Sequence, residues 1–265
     1  MKKRIMIFFA AFLCLCGCGA SKSGEEVSDA LYQVNLLQSL TLGSYDGAIE
    51  VSELLKHGDT GIGTFDGVNG EMIVLDGVVY QALSDSSVII AADDETVPFA
   101  NVTFIDADIC EEKIAAENMA DLKEILKTIV DANGNNQFYM IRLDGEISKI
   151  CVRSEEKQEK PYRPLDEVLL EAERRFDYTD TEGTIVGLYC PSYMDGLNTP
   201  GWHFHYISKD RTKGGHILSF EDFTGSLKMD QISEFKVEVE NTDNFNELNL
   251  GEDQSERINS VEKGK

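Results

Sequence analysis

Gly201-Trp-His-Phe-His-Tyr-Ile-Ser-Lys-Asp-Arg-Thr-Lys-Gly-Gly-His-Ile-Leu-Ser-Phe220 contains three of the four histidines in the chain. His203 and His205 alternate with Trp202, Phe204 and Tyr206, the pattern of a β-strand, in which residues i and i+2 project from one face. The polar run from Ser208 to Gly215 reads as a turn, and His216 to Phe220 as a second strand. Paired as a hairpin, these strands set His216 opposite His205 or His203, and three imidazoles converge on one face. That is the ligand set of a catalytic zinc with an open fourth position. A structural zinc fits less well, because no cysteine lies close enough in sequence to close the tetrahedron. Isolated histidines on strands are more often satisfied core or half-exposed side chains. The concentration of three within this short segment favours the metal reading.

Outward from this hairpin the chain reads as strand-rich α+β. Candidate strands are Thr60–Phe65, Glu71–Leu75, Val78–Ala82, Ser87–Ala91, Val102–Ile105, Thr184–Tyr189, Ser226–Ile232 and Phe235–Val239. Asp76-Gly77 and Asp144-Gly145 read as tight hairpin turns, the second joining Phe138–Leu143 to Glu146–Val152. Helical spacing is read at Leu31–Leu42, Val51–His57 (with Ser52 as N-cap), Ala120–Asp131 and Leu165–Phe176. These elements suggest two sheet- or barrel-like halves, 31–153 and 165–245, with the histidines at their junction. The polar, proline-ended segment 154–164 is the expected linker. Residues 246–265 are acidic and polar, the composition of a disordered tail.

The N-terminus carries a basic Lys2-Lys3-Arg4 and an apolar run from Ile5 to Leu15 that is too short to span a bilayer. Residues 1–18 are therefore read as a signal peptide, and 19–30 as a flexible tether. Leu15-Cys-Gly-Cys18 resembles a bacterial lipobox, so Cys18 is the expected lipid-bearing residue and the only membrane contact expected. The predicted location is the outer face of a bacterial membrane, with plain secretion as the alternative. Cleavage would make the chain three charges more negative than its formal −24. Such a surface argues against nucleic acid and anionic lipid as partners, and an anionic substrate would need a locally positive pocket. Cys110, Cys151 and Cys190 are widely spaced and odd in number, which is no disulfide framework.

A metal site needs acid/base groups and an anchor for its substrate. Glu71 follows Gly67-Val-Asn-Gly70 and opens an apolar strand. Arg142 and Arg153 each lie among apolar residues, where a guanidinium must pair with something, a substrate carboxylate included. Periodicity does not choose between the two arginines.

Gly58-Asp-Thr-Gly-Ile-Gly-Thr-Phe65, Asn69-Gly-Glu-Met72, Val97-Pro-Phe-Ala100, Phe138-Tyr-Met-Ile-Arg-Leu-Asp-Gly145, Gly183-Thr-Ile-Val-Gly187, Pro200-Gly-Trp-His-Phe-His-Tyr206 and Gly214-Gly-His216 together resemble the α-acetolactate decarboxylase family, from about Leu31 to the C-terminus. The resemblance implies zinc held by His203, His205 and His216. It also implies that Thr64, Glu71 and Arg153 are site residues, Arg153 rather than Arg142, and that a tail glutamate, Glu262, returns to the site. It further implies a homodimer. Trp202, Phe204 and Ser154-Glu-Glu depart from the family pattern, the first two beside the ligands.

The implied substrate is acetolactate, a 2-hydroxy-3-oxo acid whose hydroxyl and ketone oxygens can chelate zinc. Loss of CO2 would send electrons into the ketone to give an enediolate, with zinc stabilising the charge. Arg153 would hold the carboxylate or the developing anion, and Glu71 or Glu262 would deliver the proton that yields acetoin. Two other classes compete: a surface lipoprotein that captures zinc or a zinc-chelating acid without turnover, and metal-assisted hydration or hydrolysis. A capture module has no use for an arginine aimed at its own cation.

Overall fold

Short apolar segments punctuated by glycine, aspartate and asparagine fold into two stacked sheets and a small two-stranded one in the computed structural model, which describes residues 29–263. The signal peptide, Cys18 and nearly all of the tether lie outside the described residues, as does the side chain of Glu262. The chain begins with β1 (Ala30–Val34), α1 (Leu37–Thr41), β2 (Ile49–Glu50), α2 (Val51–Leu54), β3 (Thr60–Thr64), β4 (Glu71–Leu75), β5 (Val78–Ala82), β6 (Val88–Ile90), β7 (Thr96–Val97) and β8 (Phe99–Thr103). It continues with β9 (Ile109–Asn118), α3 (Met119–Asn133), β10 (Phe138–Glu155), α4 (Leu165–Ala172), β11 (Glu173–Cys190), β12 (Gly201–Ser208), β13 (Gly214–Ile232), β14 (Glu234–Glu238), α5 (Asp243–Glu247) and α6 (Ser255–Lys263).

The first sheet has the order β14-β1-β8-β3-β4-β5-β6, and the second β10-β11-β12-β13-β9 with an added β10–β13 pairing. That pairing curls the second sheet, but β9 remains an edge and neither sheet is a closed barrel. The step from one sheet to the other falls between Thr103 and Ile109, and β14 returns to the first sheet beside β1. An apolar layer including Leu31, Ile73, Met140, Val186 and Ile207 fills the space between the sheets. The side chain of Asn118 accepts the Ala120 and Asp121 amides to cap α3, whose Leu122, Leu126 and Val130 pack on the second sheet. No described helix is long and apolar enough to cross a membrane.

Several expected elements differ, each for a physical reason. Leu31–Leu42 is strand β1 followed by the short α1. All five residues of β1 are buried between β14 and β8, so the segment lacks the alternation of a half-exposed strand. The α2 N-cap position is Glu50, not Ser52, and no side chain caps that helix. Asp76-Gly77 does turn a hairpin, with positive φ at both residues (53° and 74°). Asp144-Gly145 does not: β10 runs straight through it. Gly145 lies opposite Gly183 on one side and Gly225 on the other, and a Cβ there would meet the Thr224 carbonyl at 2.3 Å. The glycine serves close strand approach, not a turn. Ser154 and Glu155, read as linker, are buried residues that end β10. Segments 216–220 and 226–232 are one strand, β13, and helix α4 stops at Ala172. The tail is helical at α5 and α6. Ile258 and Val261 of α6 join Leu37, Leu40, Leu165 and Val168 in a separate apolar cluster.

Candidate metal centre at the sheet junction

Strand parity and register assemble the histidines. His203 and His205 share a face of β12, and His205 pairs directly with His216 across β12–β13. Gly214 and Gly215 make this approach possible. Gly215 sits at φ 144°, and a Cβ there would meet the Arg153 carbonyl at 2.4 Å. His203 Nε2 lies 3.0 Å from His205 Nε2 and 2.9 Å from His216 Nδ1. His205 Nδ1 donates to the Met72 carbonyl at 2.8 Å, which leaves its Nε2 as a lone-pair donor facing the other rings. Burial, then the charge of Arg153, pushes His203 down to about 3, and burial also holds His205 well below the ordinary range. Neutral imidazoles with converging nitrogens are what a divalent cation requires. The donor set therefore fits zinc by chemistry and number. A second convergent group, Asp106, Asp108 and Asp230, lies elsewhere and is purely carboxylate.

The first sheet supplies the facing wall. Glu71, at the start of β4 and 7% exposed, places Oε2 3.3 Å from His205 Nε2. Thr64, directly opposite Glu71 across β3–β4, donates its hydroxyl to the Gly70 carbonyl at 2.7 Å. Arg153, 3% exposed, pairs with His216 across β10–β13 and stands 4.0 Å from Glu71 Oε1. Its Nη1 donates to the Val261 carbonyl at 2.5 Å, so α6 closes the chamber. Thr64, Glu71, Arg153, His203, His216 and Val261 all line one cavity of about 50 Å³.

All the sequence-predicted residues whose side chains are described come together here. Arg142 does not: it pairs with Asp76 at 2.7 Å and Asp144 at 2.6 Å, away from the histidines. Trp202 and Phe204 stack on each other (ring centroids 5.5 Å apart). With Lys123 they line a larger, open cavity of about 580 Å³ that His203 and His216 also border. Two further carboxylates were missed. Glu155 Oε1 lies 3.3 Å from Arg153 Nε, and Glu173 Oε2 3.4 Å from Arg153 Nη1. The signal for Glu155 was present: it follows Arg153 at i+2, the same parity that joined His203 to His205.

Comparison with known proteins agrees along nearly the whole chain. A family profile described as "Alpha-acetolactate decarboxylase" matches residues 31–252. The chain is 40% identical over 241 residues to the Methanosarcina mazei protein called alpha-acetolactate decarboxylase, covering 90% of this chain and 82% of the relative. It is 35% identical over 228 residues to a Bacillus subtilis protein called by the same name, covering 85% and 88%. The crystal structure of alpha-acetolactate decarboxylase from Bacillus subtilis strain 168 superposes with a TM-score of 0.82 at 34% identity, covering 89% of this chain and all of the other.

Proposed function

The chain belongs to the alpha-acetolactate decarboxylase family, and from that premise we propose that it converts 2-acetolactate to acetoin and CO2 at the junction chamber. The observation that carries this reading is the convergence of the three histidines on Glu71 and Arg153, with His203, His216, Glu71 and Arg153 lining one cavity built from both sheets and His205 3.3 Å from Glu71. The substrate is a small anionic 2-hydroxy-3-oxo acid. When bound at His203, His205 and His216, zinc supplies a fixed double positive charge beside the oxygens on which negative charge develops.

The chain's own groups do the remainder. Arg153, placed across from His216, holds the substrate carboxylate or offsets the developing anion. Decarboxylation breaks the carbon–carbon bond to CO2 and leaves its electron pair in the ketone, as an enediolate. Glu71, beside His205, is positioned to deliver the proton to carbon, with Glu262 as the second acid brought by α6. Thr64 keeps its hydroxyl oriented through Gly70, where its oxygen can accept from a substrate hydroxyl. The low-dielectric walls strengthen each of these interactions. A proton arriving from one face makes one enantiomer of acetoin.

The test is direct. Purified zinc-loaded protein given racemic acetolactate releases CO2 and accumulates acetoin; a yield no higher than spontaneous breakdown rejects the reading. Zinc capture without turnover gives bound metal and no acetoin.

A further inference from the structure

Glu155 ends β10 on the same strand face as Arg153. It is 5% exposed and lines the chamber with Thr64, Glu71, Arg153 and His216. Its Oε1 is 3.3 Å from Arg153 Nε, and its carboxyl lies against that of Glu71. Arg153 is a buried cation facing Glu71, Glu155 and Glu173, and Glu173 is also engaged by Arg175 at 2.5 Å, which leaves Glu155 as a buried partner of the guanidinium at Nε.

We propose that Glu155 is a positioning residue of the decarboxylation site, bracing the Arg153 guanidinium beside His216 and the Glu71 carboxyl on the facing sheet at fixed places around the histidines. The inference rests on the decarboxylase reading. Arginine is a long side chain with many rotamers, and ion pairing with Glu155 at Nε and with Glu173 at Nη1 restricts the guanidinium before substrate arrives. Glu71 gains the same benefit from its contact with Glu155. Displacement of either group by about 1 Å is enough to cost up to 10²-fold in rate.

Glu155→Gln keeps the shape but removes the ionisable partner, and Glu155→Asp withdraws the carboxyl by one methylene. Expected for Glu155→Gln is a fall in kcat of about tenfold or more with bound zinc and thermal midpoint unchanged, and for Glu155→Asp a partial recovery. Both variants matching wild-type kcat and KM overturn the proposal. Wild-type protein that makes no acetoin removes the decarboxylase reading instead. Calorimetry on zinc-loaded protein with 2,3-dihydroxy-2-methylbutanoate, the unreactive reduced form of the substrate, then decides for Glu155. Binding about tenfold weaker in Glu155→Gln supports the proposal. Equal binding, or none by wild type, overturns it.

Discussion

Arg153 and His216 are direct cross-strand partners on β10 and β13, so a guanidinium and an imidazole share one face of the second sheet. Burial above all disfavours protonation of His203 and His205, and the charge of Arg153 acts in the same direction. The arginine that waits for an anion thus adds to burial in keeping these two imidazoles neutral for a cation.

Removal of the metal should abolish activity and leave the sheets standing, because both sheets carry their own apolar cores. Dialysis against a chelator is expected to remove acetoin formation, and added zinc to restore it. His216→Ala should lower bound zinc by about tenfold or more, measured by elemental analysis.

Glu71→Gln is expected to lower kcat by about 10²-fold or more while zinc stays bound, since Glu71 is cast as acid/base and not as ligand. Loss of zinc together with activity would make Glu71 a ligand.

The α6 helix separates two effects. Glu262→Gln should reduce kcat without moving the thermal midpoint. Deletion of 258–265 also strips Ile258 and Val261 from their apolar cluster and the Val261 carbonyl from Arg153, so it should cost stability as well, by roughly 2–5 kcal/mol. Unchanged activity in both would remove the tail from the site.

Stability should fall as pH rises through the range set by Asp230. This residue, 1% exposed, faces Asp106, Asp108 and Asp29, and burial followed by its contact with Asp106 raises it from 3.8 to about 8. The folded chain keeps a proton that the unfolded chain releases, so the contribution is full below 3.8 and lost as pH rises to about 8. Thermal midpoints measured from pH 5 to 8 should therefore decline, and Asp230→Asn should flatten the slope. Equal slopes in the two proteins would refute this.

Export and lipid attachment make a separate prediction. Mass spectrometry of protein from a host that processes lipoproteins should find the mature chain beginning at an acylated Cys18. A free N-terminus elsewhere returns the chain to ordinary secretion.

By itself the sequence determined what is local. The parity of His203 and His205, the glycine pair that lets His216 approach, and the turn at Asp76-Gly77 all follow from periodicity and backbone freedom. Only the tertiary structure decided how distant segments meet. A register shift between Cys151 and Val152 sets Arg153 across from His216; without it Arg153 would face Ile217, and His216 would turn to the opposite face. Likewise, Asp144-Gly145 has turn composition, yet Gly183 and Gly225 on neighbouring strands hold it straight. Glu71 reaches the histidines because β4 of one sheet packs against β12 and β13 of the other. Side-chain period is a property of a single strand. Register and sheet packing are set by partners far away in the chain, and the placement of Glu155 beside Arg153 and Glu71 depends on both.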